Sequence, residues 1–457
     1  MGAGKDGDGG AEDVEEVWEC GDGGGRRGEP RHGVRDESCV GGVAATKIRA
    51  VRICRVEVSN FRCFPSRVSL DLAPLTLLYG WNNAGKSALV RLLAMVGEAV
   101  AESAASPLDP GVLGASEGGF ASLRWKGNPD LTEQVGIRLG LSWDDAPGVA
   151  SVAYELNYDD ARRLTVVTSA EVVADDGART RFEANPVTQR YDQMEPEPVS
   201  ETHESGLSFA GLVPNGEPRL DSLRAVLVEM RGRVQWLTGV RARPPRLMSP
   251  TGASPRRLGR DGSGAVEVLL ANDAVRARVA KWYANASQRE LVLTDALQGG
   301  HRTLLRPLRS TMDVDLVDAG EGMVQCLPVV TAAAMMERPE GPRVLTVEEP
   351  ESHLHPRAQR HLAEFLCEVA GCGTRPTVIA ETHSFAMMLG VQLAIAQGKA
   401  RAEDVVAYWL EPREDGISTV RKVRFDKTGR AIDAGFLGVF AEETDLSQAL
   451  ADLQMFA

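Results

Sequence analysis

The chain has 457 residues, of which 43% are hydrophobic and 25% charged, and carries a formal net charge of −13. This is a globular composition, with room for one large domain or two to three modest ones, and it excludes a protein whose whole surface grips a phosphate backbone. No apolar run reaches the eighteen residues that would suggest a membrane span, and seven cysteines without a CxxC pair favour free thiols over disulfides or zinc.

The N-terminus "MGAGKDGDGG" lacks the apolar core of a signal peptide, and glycine and charge follow Arg26 and Arg27 where a twin-arginine leader needs a hydrophobic stretch. A cytoplasmic location without membrane contact is therefore expected. Residues 1–46 are Gly-rich, mixed in charge and almost free of large apolar side chains, which predicts a disordered extension. One ordered domain is expected over 47–430, followed by a C-terminal cap over 431–457. From Ile48, "IRAVRICRVEVSNFRCF" alternates as a strand does, and "VSLDLAPLTLLYG" predicts a second strand. After Lys86 the period changes: Ala88, Leu89, Leu92, Leu93 and Val96 recur at helical spacing. The runs "VGIRLGLSW", "SVAYELNY" and "RLTVVTSAEVV" predict an antiparallel β-rich subdomain over about 116–184.

A helical and loop region is expected over about 185–310, with 185–218 a long loop and helices in "LDSLRAVLVEMRGRV" and "SGAVEVLLANDAVRARVAKWYANA". Strand and helix then alternate through "VLTV", "PRAQRHLAEFLCEVA", "PTVIAET", "FAMMLGVQLAIAQG" and "DVVAYWLE", which predicts an α/β lobe with a mainly parallel sheet over about 311–430. The clusters "RARPPR" and "SPRRLGR" offer a local basic patch, with solvated loops as the commoner alternative.

Three segments carry chemistry. In "GWNNAGKS", residues 80–87, the spacing GxxxxGKS between a strand and a helix fits a phosphate-binding loop. Gly80, Asn82, Asn83, Ala84, Gly85, Lys86, Ser87 and Ala88 would cradle ATP, with Lys86 on the terminal phosphates and Ser87 on Mg2+. The apolar strand in "VLTVEEPESHLHP" ends in two acids: Glu348 is expected to serve the metal with Ser87, and Glu349 to be the base that orients water. A third strand, "VIAETHS", delivers Thr382 and His383 towards the γ-phosphate.

In this order the pieces resemble the ABC-type ATPase heads of the SMC, RecF and OLD-like group. The resemblance runs from about Ile48 to the C-terminus. It implies a P-loop NTPase fold, an ABC/SMC-like head with a mainly parallel core sheet and an antiparallel β-subdomain. "VDAGEGMVQCLP" is similar to that group's degenerate signature, so Asp318, Gly320 and Gly322 are expected to complete the site of a second copy. "EEPESHLHP" resembles the acidic pair and D-loop, and His383 the switch histidine. Glu348 and His355 both stand where classical heads have Asp. Gln134 is a candidate for the Q-loop glutamine and is not assigned. His353 and His355 could alternatively form a metal pair, although no further ligand lies at suitable spacing.

The implied activity is ATP hydrolysis with Mg2+, driving a homodimer or higher homo-oligomer that controls a separate effector, a nuclease or toxin, in bacterial anti-phage defence or DNA maintenance. A long coiled coil is excluded because Pro and Gly interrupt the intervening region, and no DxD-like cluster marks a nuclease in the same chain. DNA contact is left open. The alternatives are an ATP-binding scaffold or sensor that does not hydrolyse, and a transporter subunit.

Overall fold

The computed structural model describes residues 51–433 apart from 114–118, 128–135, 186–187, 189, 196–205, 250–251, 253–254 and 297–298. The expected extension over 1–46, Gln134, and all but three residues of the expected cap lie outside the described residues. The described residues fall within one compact unit, Arg49–Ala457.

In chain order the elements begin with β1 (Arg52–Ser59), β2 (Val68–Asp71), β3 (Leu75–Gly80), α1 (Lys86–Ala99), β4 (Ile137–Asp144), β5 (Ser151–Asp159), β6 (Leu164–Val173), β7 (Arg179–Ala184), β8 (Tyr191–Glu195), β9 (Ser208–Ala210) and β10 (Val213–Asn215). They continue with α2 (Asp221–Glu229), β11 (Val234–Leu237), α3 (Ala265–Ala271), α4 (Asp273–Ser287), β12 (Arg289–Asp295), β13 (His301–Pro307), β14 (Val314–Asp315) and α5 (Glu321–Met335). The last lobe holds β15 (Val344–Glu348), α6 (Pro356–Ala370), β16 (Thr377–Glu381), α7 (Phe385–Ala396), β17 (Val405–Pro412) and β18 (Ser418–Val423).

The central six-stranded sheet has the order β11-β15-β16-β3-β17-β18, parallel throughout except for the final antiparallel pair. Every residue of β3, β15 and β16 is buried, as expected of parallel strands covered on both faces. Side chains alternate between those faces. Leu75, Leu77 and Tyr79 enter one core with the apolar residues of α5, α6 and α7, whereas Leu78 joins the other with Leu89, Leu92, Leu93 and Val96 of α1. Because β3, β15 and β16 run in the same direction, the loops that follow them open at one edge. That edge is where α/β sheets place ligands.

A seven-stranded antiparallel sheet, β2-β1-β4-β5-β6-β7-β8, lies within the same unit. It reaches beyond the expected 116–184 subdomain in both directions, taking in β1, β2 and β8. The stretch read as one strand, "VSLDLAPLTLLYG", is two strands in different sheets. Pro74 has no N–H to continue a ladder, and the Thr76 hydroxyl closes the turn by accepting from Ala73 N–H at 3.1 Å. The expected long loop over 185–218 contains β8, β9 and β10, whose short or charged sequences carry little apolar alternation. The helix expected across "SGAVEVLLANDAVRARVAKWYANA" divides at Asn272, which is extended and caps α4 through Val275 N–H. A three-stranded sheet, β12-β13-β14, precedes α5 and was not anticipated.

Candidate functional site

The loop between β3 and α1 is shaped by positive φ angles at Gly80 (145°), Asn83 (61°) and Gly85 (89°). A Cβ on Gly80 would lie 2.0 Å from the Leu410 carbonyl oxygen, and one on Gly85 would lie 2.4 Å from Cys63 Sγ. Both positions therefore require glycine. Gly85 stands at the N-terminus of α1 without a side-chain cap, which leaves that helix end open to an anion. Lys86 Nζ donates to the carbonyls of Gly80 at 3.0 Å and Trp81 at 2.8 Å. Burial pushes the Lys86 pKa down, while the charges of Glu381 and Glu349 oppose that shift.

A cavity of about 750 Å³ opens over this loop. Asn82, Asn83, Gly85, Lys86, Ser87 and Ala88 line it, and Glu349, Glu381 and His383 face them from the ends of β15 and β16. Gly80 and Ala84 do not line it. Arg62, Arg124, Trp125 and Lys126 extend the wall. Lys86 and Ser87 are thus brought together with Glu349 and His383, which lie far from them in the chain.

Glu348 is not brought into this cavity, which corrects its expected pairing with Ser87. Arg91 Nε and Nη2 hold its two carboxylate oxygens at 2.8 and 2.9 Å, and Trp236 Nε1 donates to it at 3.2 Å. Ser87 Oγ instead donates to Glu381 Oε1 at 2.8 Å. Strand order explains the exchange. β16 lies between β3 and β15, and Glu348 and Glu381 are in register on the adjacent strands. Ser87 and Arg91, four residues apart on one face of α1, therefore meet the nearer and the farther acid respectively. Burial pushes the Glu381 carboxyl up to about 7, with the Ser87 hydrogen bond opposing it.

Glu349 leaves the strand at φ 43° and accepts from Ser352 Oγ at 2.9 Å. The buried guanidinium of Arg241 donates to the carbonyls of both Glu348 and Glu349, while Arg241 N–H donates to Gln325 on α5 at 2.9 Å. One arginine thus joins the acidic pair to the helix that follows the signature. Thr382 is buried and does not line the cavity; its hydroxyl accepts from Ser384 N–H at 3.1 Å. His383 does reach the cavity, and its backbone N–H donates to Glu351 Oε1 at 2.9 Å. Burial and Lys86 push the imidazole pKa down, against Glu349, which favours the neutral ring at pH 7.

Glu351 links the segment after β15 to His383, and burial raises its pKa. A raised carboxyl contributes stability that is fully present below its unfolded pKa and is lost as pH rises through the folded value. Wild type should therefore lose stability relative to the neutral isostere Glu351→Gln as pH rises above the ordinary carboxyl value, through the raised folded one. Urea midpoints across that range test this; identical pH dependence in the two proteins would show that Glu351 is not held protonated.

Asp318, Gly320 and Gly322 do not line their own chain's cavity. Gly320 is exposed, with open space where a Cβ would be, at the N-cap of α5. Gly322 is buried, and a Cβ there would lie 2.3 Å from the His353 carbonyl oxygen. This corrects the expected part of Gly322 in the site of a second copy: its missing Cβ makes room for the loop after β15 of its own chain.

The two arginine clusters, open to reading as a basic patch or as solvated loops, are instead tied into the fold. Arg243 pairs with Glu321, Arg246 holds both Asp318 oxygens at 2.6–2.7 Å, and Arg241 is only 3% exposed. In the second cluster, Arg257 pairs with Glu98 and Arg260 bonds the Val112 carbonyl. His355 Nδ1 accepts from Arg357 N–H and caps α6, a role that does not require the alternative metal pair. Among the described residues no group of three or more His, Cys, Asp or Glu could hold a metal by itself, and no helix is long and apolar enough to cross a membrane.

Sequence pattern did not identify Glu381, Glu351, Arg91 or Arg241 as site residues. Glu381 ends an apolar strand just as Glu348 does, a signal that was available; the arginine contacts depend on tertiary arrangement alone.

The central parallel sheet, with β3 leading through a GxxxxGKS loop into α1, gives the chain a P-loop NTPase fold. Residues 253–388 match the family model described as "AAA domain, putative AbiEii toxin, Type IV TA system". That match spans both acid-bearing strands but not the phosphate loop. Similar solved structures include an SMC head domain from Thermotoga maritima, 12% identical, covering 81% of this chain and 98% of that one at a TM-score of 0.40. An SmcHead bound to the C-winged helix domain of ScpA is 13% identical, with 82% and 98% covered and a TM-score of 0.44. An Smc head with an extended coiled coil, bound to the C-terminal domain of ScpA derived from Pyrococcus furiosus, is 12% identical, with 82% and 96% covered at 0.45. No curated protein matches the chain.

Proposed function

We propose that this chain binds and hydrolyses Mg-ATP as an OLD-like ABC-type ATPase, and that two copies close around the nucleotide to control a separate effector. The observation that carries the reading is the convergence of Lys86, Ser87, Glu349 and His383 on one cavity above an open helix N-terminus. Loop N–H groups and Lys86 would hold the phosphates, Lys86 exchanging its two carbonyl partners for phosphate oxygens. Glu349 would orient and deprotonate the attacking water, and neutral His383 would hydrogen-bond the transferred group. The Ser87 hydroxyl fits a place beside Mg2+, which would supply charge neutralisation across the phosphates when bound.

Pairing of two copies is supported by the exposure of Asp318 and Gly320 away from their own cavity. Trp81 and Val240, 54% and 84% exposed, also follow the C-terminal ends of β3 and β11 on the ligand edge of the sheet. A covered interface would bury them. The toxin–antitoxin wording of the matching family model supports a setting in defence, with DNA maintenance as the other setting. Phosphate release by the purified chain tests the activity. Sustained release is expected; tight nucleotide binding with no release above that of Glu349→Gln would instead establish a non-hydrolysing sensor.

A further inference from the structure

We propose that Glu381, together with Ser87, is the protein's ligand pair for the divalent cation that arrives with the nucleotide, in the place expected for Glu348. The assignment rests on the nucleotide-binding reading above and names which acid serves it. Glu381 Oε1 accepts from the Ser87 hydroxyl at 2.8 Å, so the two groups already converge at the first turn of α1. Its second oxygen, Oε2, is buried without a hydrogen-bond partner, and the residue is 4% exposed at the wall of the cavity. A buried carboxylate oxygen left without a partner is costly, and a hard cation is the partner that its chemistry fits.

Glu348 is in the opposite condition. Both of its oxygens are engaged by Arg91, one also by Trp236, and it lies outside the cavity lining. A cation would have to displace a bidentate guanidinium to reach it. The two acids are in register on neighbouring strands, and the one nearer the phosphate loop is the one that no arginine engages among the described residues. The described residues hold no cluster able to bind a metal alone. Mg2+ commonly takes one or two protein ligands together with phosphate oxygens and water, and a hydroxyl beside one carboxylate suits that pattern. The cation should therefore bind with the nucleotide and only weakly without it.

The test is equilibrium binding of a non-hydrolysable ATP analogue to the full chain, in Mg2+ or in EDTA, for wild type, Glu381→Gln and Glu348→Gln. Wild type should bind more tightly with Mg2+, and Glu381→Gln should lose about 10- to 100-fold of that enhancement while keeping its affinity in EDTA. Glu348→Gln should keep most of the enhancement, as expected of a residue whose oxygens are already engaged by Arg91. Electron paramagnetic resonance of Mn2+ added with a non-hydrolysable ATP analogue reads the same site without turnover, and Glu381→Gln should weaken Mn2+ uptake by a similar factor. Full Mg2+ enhancement in Glu381→Gln, or its loss only in Glu348→Gln, would overturn the assignment. Failure of wild type to bind the analogue in either buffer would overturn the nucleotide reading first, and the assignment with it.

Discussion

Glu349→Gln is expected to lower ATP turnover by about 10²- to 10⁴-fold, the scale for losing a positioned general base, while leaving ATP affinity nearly unchanged. Gln has the same shape and can still accept from Ser352 Oγ, so the unusual turn at φ 43° should persist. What disappears is the capacity to take a proton from water. The expected signature is a protein that holds ATP without releasing phosphate. Single-turnover and binding measurements separate these effects, and wild-type turnover in this variant would show that the acid facing the cavity is not the base.

Lys86→Ala is expected to weaken ATP binding by about 10²-fold or more, as appropriate for removing a charge-assisted contact to phosphate. It should not weaken the folded chain without nucleotide. In that state the ammonium is buried against two carbonyls, and burial already lowers its pKa. Thermal unfolding without ligand should therefore be unchanged or slightly raised, while the ATP-induced rise in melting temperature disappears. Loss of folding together with binding would make Lys86 a structural residue, contrary to the role given to it here.

The phosphate loop was legible because its determinants are local: glycine spacing, a preceding apolar strand and a helix period after Lys86. The placement of Glu349 and His383 at the cavity was legible for a similar reason, each standing just past a buried strand. The allocation of Glu348 and Glu381 was not. It depends on β16 lying between β3 and β15, and strand order is a long-range property that no local run encodes. The arginines of "RARPPR" misread for the same reason, since Arg246 and Arg241 find their partners 72 and 107 residues away. In the sequence they are adjacent positive charges; in the fold they fasten the signature segment and the acidic pair. Gly322 misled in another way: a glycine needed for close approach carries no label for what approaches, and here it is the His353 carbonyl.

The central claim is ATP turnover at a site that a second copy completes, and the most direct test mixes two inactive variants. Lys86→Ala damages the phosphate loop and leaves the signature intact. Gly320→Trp does the reverse, and is chosen over Gly322 because Gly320 is exposed with open space beside it. Each variant alone should release little phosphate. A mixed pair contains one intact composite site, so phosphate release should reappear on mixing, after incubation long enough for subunits to exchange, and should rise with the square of protein concentration when the chains are mostly monomeric. Activity of wild type that stays strictly first order in protein down to concentrations where ultracentrifugation shows only monomer, with Gly320→Trp as active as wild type, would contradict the shared site.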